Sequence, residues 1–345
     1  MTTSSSELYR RVFGCLVGMA AGDALGQPCR DLDWRKIRER YGSQIEFQPW
    51  VSGTENTNPH PKGQVGDLAR LSILFADRAV MNKTMPRISL LIDELFAQHS
   101  LNSLPAQAAL ARIRAGIEPS RSAVPELAGP EALYLAVPVA ICHIGDPEAA
   151  FTSVRSIAGP ILLGPSLEAG QVFAAALAVA LMPGATPAQV FEAAIDLAPP
   201  SCSKNIRPAY LFAREHLGHP AHLVTPNIHD RFSSRSATDP HGPTLESLAV
   251  SLIYLLLCDG LPEQTIQACV SYGGWSHATA AAGGALAGAM STSNKVPSAW
   301  RKTVLSANPL LDIPKTAEGL CQIVLTGGER QKDRLTQILK MAGEE

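Results

Sequence analysis

Three stretches of this chain hold residue types that can do chemistry. "LGQPCRDLD" carries Arg30 and Asp31, "QVGDLARL" carries Gly66 and Asp67, and "YGGWSHAT" carries Trp275, Ser276 and His277. A carboxylate such as Asp67 can activate water, or stabilise the positive charge that develops at a sugar's anomeric carbon. Ahead of a helical run it can equally be an N-cap. His277 has an ordinary pKa near neutrality, so it can be a general acid, hold a phosphate, or sit hydrogen-bonded in a core. Arg30 presents a fork of donors suited to phosphate. Trp275 offers a flat face on which a base or nicotinamide ring can stack, or it fills core space.

The elements that must position these residues read as helices. Leu68, Leu71, Phe75 and Ala79 recur at helical spacing in "LARLSILFADRAV". "ISLLIDELFAQHS", "GQVFAAALAVALM", "PAQVFEAAIDLA", "TLESLAVSLIYLLL" and "PEQTIQACVSY" follow the same period. Alternating β-branched runs are nearly absent while alanine and leucine dominate, which predicts an all-α fold. Thr186-Pro187 marks a helix start and Asp259-Gly260 a helix stop. Gly14, Gly18, Gly22 and Gly26 recur every four residues. With Gly283, Gly284, Ala287, Gly288 and Ala289 they predict closely packed helices. Residues 48–66 and 218–243 read as long irregular loops, the second carrying His229, Arg231, Arg235 and His241. With no repeat and no linker composition, residues 1–345 are expected to form one domain.

Composition narrows the function. The chain has 345 residues, 46% hydrophobic and 17% charged, which predicts a compact protein rather than a disordered one. Its 29 basic and 31 acidic residues nearly cancel, with no basic tract interleaved with aromatics, so nucleic acid is not an expected partner. The seven cysteines lack a C-x-x-C pair and fall mostly in apolar runs, as buried thiols of a reducing cytoplasm do. The opening apolar run is broken by Gly22 and Asp23, and neither an export signal nor a membrane span is expected.

"RRVFGCLVGMAAGDALGQPCRDLD" resembles the opening of the ADP-ribosylglycohydrolase family. "KGQVGDLARLSILFADR", "AGPEALYLAVPVAI", "GPTLESLAVSLIYLLL", "SYGGWSHATAAAGGALAGAM" and "VPSAW" follow in that family's order. The resemblance implies a compact multi-helix bundle that hydrolyses a bond at the anomeric carbon of ADP-ribose. In that family two magnesium ions are held by a T-D-D-T and a G-G-D-T-D-T segment. Here Gly66, Asp67, Leu68 and Ala69 stand on the first segment, while Trp275 and His277 stand on the two Asp positions of the second. Arg30 replaces a Glu that helps catalysis in some members. Leu133, Tyr134 and Leu135 fall near its Met-Arg pair, where Gly129, Ala132 and Pro138 keep the frame. Asp23 matches an acid that is architectural in the family, and Pro243 replaces a Tyr near the ligand.

The resemblance thus implies one cleft built from residues 23–31, 66–70 and 275–279, with the metal ligands largely replaced. One carboxylate is too few for two hard cations, so neither metal nor cofactor is expected. Arg30, with His277 able to gain a proton, makes a neutral or cationic pocket suited to phosphate. The expected function is metal-independent hydrolysis of an N-glycosidic bond in a ribosyl or ribosyl-phosphate metabolite derived from a nucleotide such as NAD. The alternative is a catalytically inactive relative that binds ADP-ribose or a related ligand. Asp67 and His277 are the candidate catalytic residues. Arg30, Asp31, Gly66, Gly129, Glu131, Tyr134, Trp275 and Ser276 are the candidate ligand-binding residues.

Overall fold

The computed structural model describes residues 6–51, 58–88, 93–94, 101–234 and 238–342. Its helices are α1 (Glu7–Gly26), α2 (Trp34–Tyr41), α3 (Asp67–Asn82), α4 (Leu104–Arg114), α5 (Glu131–Cys142), α6 (Pro147–Ala158), α7 (Gly164–Ala180) and α8 (Pro187–Asp196). They continue with α9 (Pro200–Glu215), α10 (Ala221–Phe232), α11 (Gly242–Leu257), α12 (Pro262–Tyr272), α13 (Ser276–Ser291), α14 (Ser298–Ala307) and α15 (Ile313–Ala342). Among the described residues there is no strand, only two isolated bridges, Asp33 with Gly273 and Trp50 with His60. The all-α expectation holds. No helix of the described residues is long and apolar enough to cross a membrane.

Helices α1 and α13 form the centre. Beyond the charged first turns of α1, both are mostly apolar or small on every side, which suits a helix surrounded by others, and α1 is buried from Val12 to Gly26. They run antiparallel with backbones in contact. A Cβ on Gly14 would lie 2.3 Å from the Gly288 carbonyl oxygen, one on Gly18 2.1 Å from that of Gly284, and one on Gly22 2.0 Å from that of Ala280. The glycine ladder read in the sequence is therefore the seam of the molecule. Around it pack α3, α5, α11 and α12 and the first turns of α15, where Ala317, Leu320 and Cys321 are buried.

Local signals act as expected at α8, where Thr186 and Gln189 form a reciprocal capping box. After α11 the chain turns through Asp259 and Gly260, at φ of 50° and 65°. "ISLLIDELFAQHS" lies mostly outside the described residues. The 218–243 stretch departs from expectation, because residues 221–232 form α10 despite Pro226. The spacing of Val224, Thr225 and Ile228 buries one face of it, and the Thr225 hydroxyl donates to the Ala221 carbonyl at 3.0 Å. Its polar residues cover the outer face and hide the helical period.

The described residues of the 48–66 stretch, 48–51 and 58–66, form no helix and are fastened. The Asn308 side chain donates to the carbonyls of Gly63 and Val304 and accepts from the Val65 N–H. Trp50 stacks on His60 with ring centroids 4.0 Å apart, and its Nε1 donates to the Gln64 carbonyl.

Candidate functional site

Two segments far apart in sequence are stitched together where α1 ends and α13 begins. The Ser276 hydroxyl donates to the Gly26 carbonyl at 2.8 Å. The Asp31 N–H donates to the Gly274 carbonyl, and the Gly274 N–H returns a bond to Leu32. Gly273 makes the turn at φ 90°, where a Cβ would also lie 2.3 Å from the Leu32 carbonyl oxygen. These bonds set Arg30 beside Trp275 and His277.

Asp23 fastens three elements. Its buried carboxylate accepts from the Gly66 N–H at 2.6 Å, from the Tyr134 hydroxyl at 2.7 Å and from Gln27 Nε2. Gly66 is the N-cap of α3 and Tyr134 lies in the first turn of α5, so one side chain of α1 ties both helices near their starts. Burial raises its pKa to about 6, and the three hydrogen bonds pull against that rise.

In front of these fasteners lies a cavity of about 270 Å³. Its wall is built from the starts of four helices: Gly66, Asp67 and Leu68 of α3, Asn102, Ser103 and Leu104 of α4, Gly129, Pro130 and Glu131 of α5, and Trp275 and His277 of α13. Gln27, Arg30, Trp50 and Ala128 complete it. Helix N-termini carry partial positive charge and outward-pointing N–H groups, so their convergence favours an anion even without a metal. They also favour acids in the first turn, where Asp67 and Glu131 stand.

The four charged or titratable groups differ. Asp67 is the first residue of α3, after Gly66 as N-cap, so the capping alternative is not the one realised. Its Oδ1 accepts from Arg70 at 3.0 Å and its Oδ2 from the Asn102 N–H at 3.1 Å. Glu131 is 3% exposed; its Oε1 accepts from the Ser103 hydroxyl at 2.7 Å, while Oε2 is buried with no hydrogen-bond partner among the described residues. Burial raises its pKa, opposed by the Ser103 bond and its own N–H. Arg30 is half exposed at the rim, 3.5 Å from Asp31. A pair so exposed contributes only about 0–1 kcal/mol, which leaves Arg30 available to a phosphate.

His277 is neutral. Burial, and secondarily the charge of Arg30, lower its pKa to about 3, and its Nδ1 has no hydrogen-bond partner among the described residues. The cationic charge expected of this pocket therefore comes from Arg30 and not from the imidazole. Because the folded pKa lies below the ordinary 6.5, the stability linked to His277 is present above that pH and is lost as pH falls toward 3. Asp23 runs oppositely: its folded pKa exceeds 3.8, so its favourable contribution exists at low pH and is lost as pH rises through about 6. On acidification from about pH 7 to about pH 4.5, His277→Gln is expected to gain about 2 kcal/mol relative to the unsubstituted protein. Urea unfolding at both pH values checks this, and an unchanged difference between the two proteins rejects a buried neutral imidazole.

Of the residues read from the sequence, Arg30, Gly66, Asp67, Gly129, Glu131, Trp275 and His277 line one cavity. Asp31, Tyr134 and Ser276 are not in its lining: Asp31 sits outside it at φ 62°, and Tyr134 and Ser276 spend their hydroxyls on Asp23 and Gly26. Of the 218–243 residues, His229 lies 3.9 Å from Asp33, and His241 Nδ1 lies 2.9 Å from the Ser166 hydroxyl. Neither lines the cavity, and Arg235 is outside the described residues. Sequence reasoning missed Gln27, Trp50, Asn102 and Ser103. The S-L-P start of α4 is a capping signal for Ser103, but nothing local says that this cap faces Glu131.

Two magnesium ions held as in the resembled family need several oxygen ligands. At the aligned positions Asp67 is the one carboxylate, engaged by Arg70 and Asn102, while Trp275 offers no ligand. Among the described residues no three His, Cys, Asp or Glu side chains group closely enough to hold a metal. The residues present do not fit that pair of ions.

The chain matches the ADP-ribosylglycohydrolase family across residues 4–332. A solved structure described as an ADP-ribosylglycohydrolase-related protein complex superposes with a TM-score of 0.64 at 20% identity. The match covers 92% of this chain and 99% of that one, and at such identity it is a likeness of fold. No curated protein compared with the chain matches it.

Proposed function

Because the chain belongs to the ADP-ribosylglycohydrolase family, we propose that it hydrolyses an N-glycosidic bond of a ribosyl or ribosyl-phosphate metabolite, without magnesium. The observation that carries this reading is the meeting of Asp67, Arg30 and four helix starts on one cavity. Arg30 and the helix ends hold the phosphate. Trp275 and Trp50 supply flat apolar faces for a base or the sugar. Asp67 faces the anomeric carbon, where a carboxylate stabilises an oxocarbenium-like transition state or takes a proton from the attacking water. His277, being neutral, serves as a hydrogen-bonding group to the ligand. At about 270 Å³ the cavity is slightly smaller than common ligand pockets, which suits a ribosyl phosphate better than a whole dinucleotide.

A second reading, a ligand-binding protein without turnover, is favoured by one feature: both oxygens of Asp67 are already engaged. Release assays on ADP-ribosylated proteins, ADP-ribose, NAD and ribosyl phosphates, with and without EDTA, separate the two. The hydrolase reading expects turnover that survives EDTA and falls in Asp67→Ala and His277→Ala. Turnover that appears only with added magnesium rejects metal independence, and ligand binding with no turnover establishes the second reading.

A further inference from the structure

We propose that Glu131 is the proton donor of this site, and that the bond cleaved is one whose leaving atom needs a proton: an oxygen or an amine- or amide-type nitrogen rather than a pyridinium. The inference rests on the hydrolase reading above. Its basis is a juxtaposition that no local pattern announces. Asp67 and Glu131 line the same cavity, and the consecutive residues Asn102 and Ser103 fasten one each. The Asn102 N–H donates to Asp67 Oδ2 at 3.1 Å, and the Ser103 hydroxyl donates to Glu131 Oε1 at 2.7 Å. Ser103 is itself fixed as the N-cap of α4, where its oxygen accepts from the Ala106 N–H. The carboxyl group therefore has a fixed orientation before any ligand arrives.

The two carboxyl groups are in unlike surroundings. Asp67 has a guanidinium and an N–H as partners and is partly open to water. Glu131 is almost fully buried; its own N–H and the Ser103 hydroxyl bond the carboxyl, and Oε2 has no hydrogen-bond partner among the described residues. Burying an ionised carboxylate with an orphaned oxygen is costly, whereas a carboxylic acid in that place carries no charge to desolvate. Burial moves its pKa in the same direction. Gly129 is what lets the carboxyl lie there, since a Cβ at that position would fall 2.1 Å from Oε2. A buried carboxyl group beside a partly exposed, ion-paired one is the usual arrangement for dividing acid and base roles.

The step balances within the two residues and one water. The bond from the anomeric carbon to the leaving atom breaks, its electron pair goes to that atom, and the Glu131 O–H proton joins the pair. Asp67 stabilises the cationic sugar carbon while water forms the new C–O bond. The proton lost by that water returns to the Glu131 carboxylate. The products are the free sugar and the protonated leaving group, and the enzyme is regenerated.

Phenyl riboside 5-phosphates of graded phenol acidity, prepared as both anomers, are the probe. The expected result is a rate nearly independent of phenol acidity in the unsubstituted protein. Glu131→Gln is expected to lose about 10²-fold on the least acidic phenols and less than about threefold on the most acidic. A purely structural role would lower all substrates alike, and an equal loss across the series overturns the proposal. If Glu131→Gln does not fold, the unsubstituted protein decides alone: a flat dependence on phenol acidity supports a proton donor, and a steep one rejects it. Turnover with a uniform Glu131→Gln effect removes this proposal only. Absence of turnover on these probes and on the metabolites above removes the hydrolase reading, and the proposal with it.

Discussion

Replacing Asp23 by alanine is expected to destabilise the protein by about 3–5 kcal/mol, a large share of the 5–15 kcal/mol that holds a typical domain folded. The cost arises from the partners left behind. The Gly66 N–H, the Tyr134 hydroxyl and the Gln27 amide all donate to this one buried carboxylate. Each buried donor without an acceptor costs about 1–3 kcal/mol, partly relieved where water can enter the space vacated. Asp23→Asn keeps one acceptor oxygen and removes a buried charge, so it is expected to lose less than alanine. Urea denaturation of the three proteins provides the measurement. An alanine variant within about 1 kcal/mol of the unsubstituted protein would show that the three elements are held by packing alone. Ligand binding by folded Asp23→Ala should also weaken, because Gly66 sets the position of Asp67.

Gly26→Ala is expected to cost about 3 kcal/mol and to abolish ligand binding, whereas the same substitution at Gly327 is expected to stabilise slightly. Gly26 has an ordinary φ of −77°, so alanine is conformationally acceptable there and the effect is one of space. Its Cβ would lie 2.4 Å from the Cα of His277 and 2.5 Å from its nitrogen, both backbone atoms that cannot rotate away. The start of α13 must then move, breaking the Ser276 bond to Gly26 and shifting Trp275 and His277 together. Gly327 lies within α15 with nothing among the described residues within 4 Å of its Cβ position, so alanine there simply removes glycine's helix penalty. Thermal unfolding compares the pair. Equal effects at the two sites would mean that the α1–α13 seam yields to a methyl group and does not position the site.

The helices were legible where apolar period and cap agree, as at α3 and α8. They were not legible at α10, where Pro226 and a polar outer face mask the buried Val224, Thr225 and Ile228. The site was legible in part for a related reason. Asp67, Arg30, Trp275 and His277 stand at positions marked by motif order, and the fold brings them to one cavity. Trp50 and Asn102 sit in no motif; the fastening of residues 48–51 and 58–66 and the start of α4 bring them there.

By itself the sequence determined the all-α class, the close seam between a glycine-spaced helix and a small-residue helix, and the absence of carboxylates at the positions of Trp275 and His277. These follow from residue type and spacing, which act over one or a few helical turns. The tertiary structure decided the protonation of the site. His277 is neutral because the fold buries it beside Arg30. Glu131 has one satisfied and one orphaned oxygen because Ser103, 28 positions earlier in the chain, is brought against it. Charge state depends on burial and on neighbours distant in sequence, and neither can be read from the order of residues.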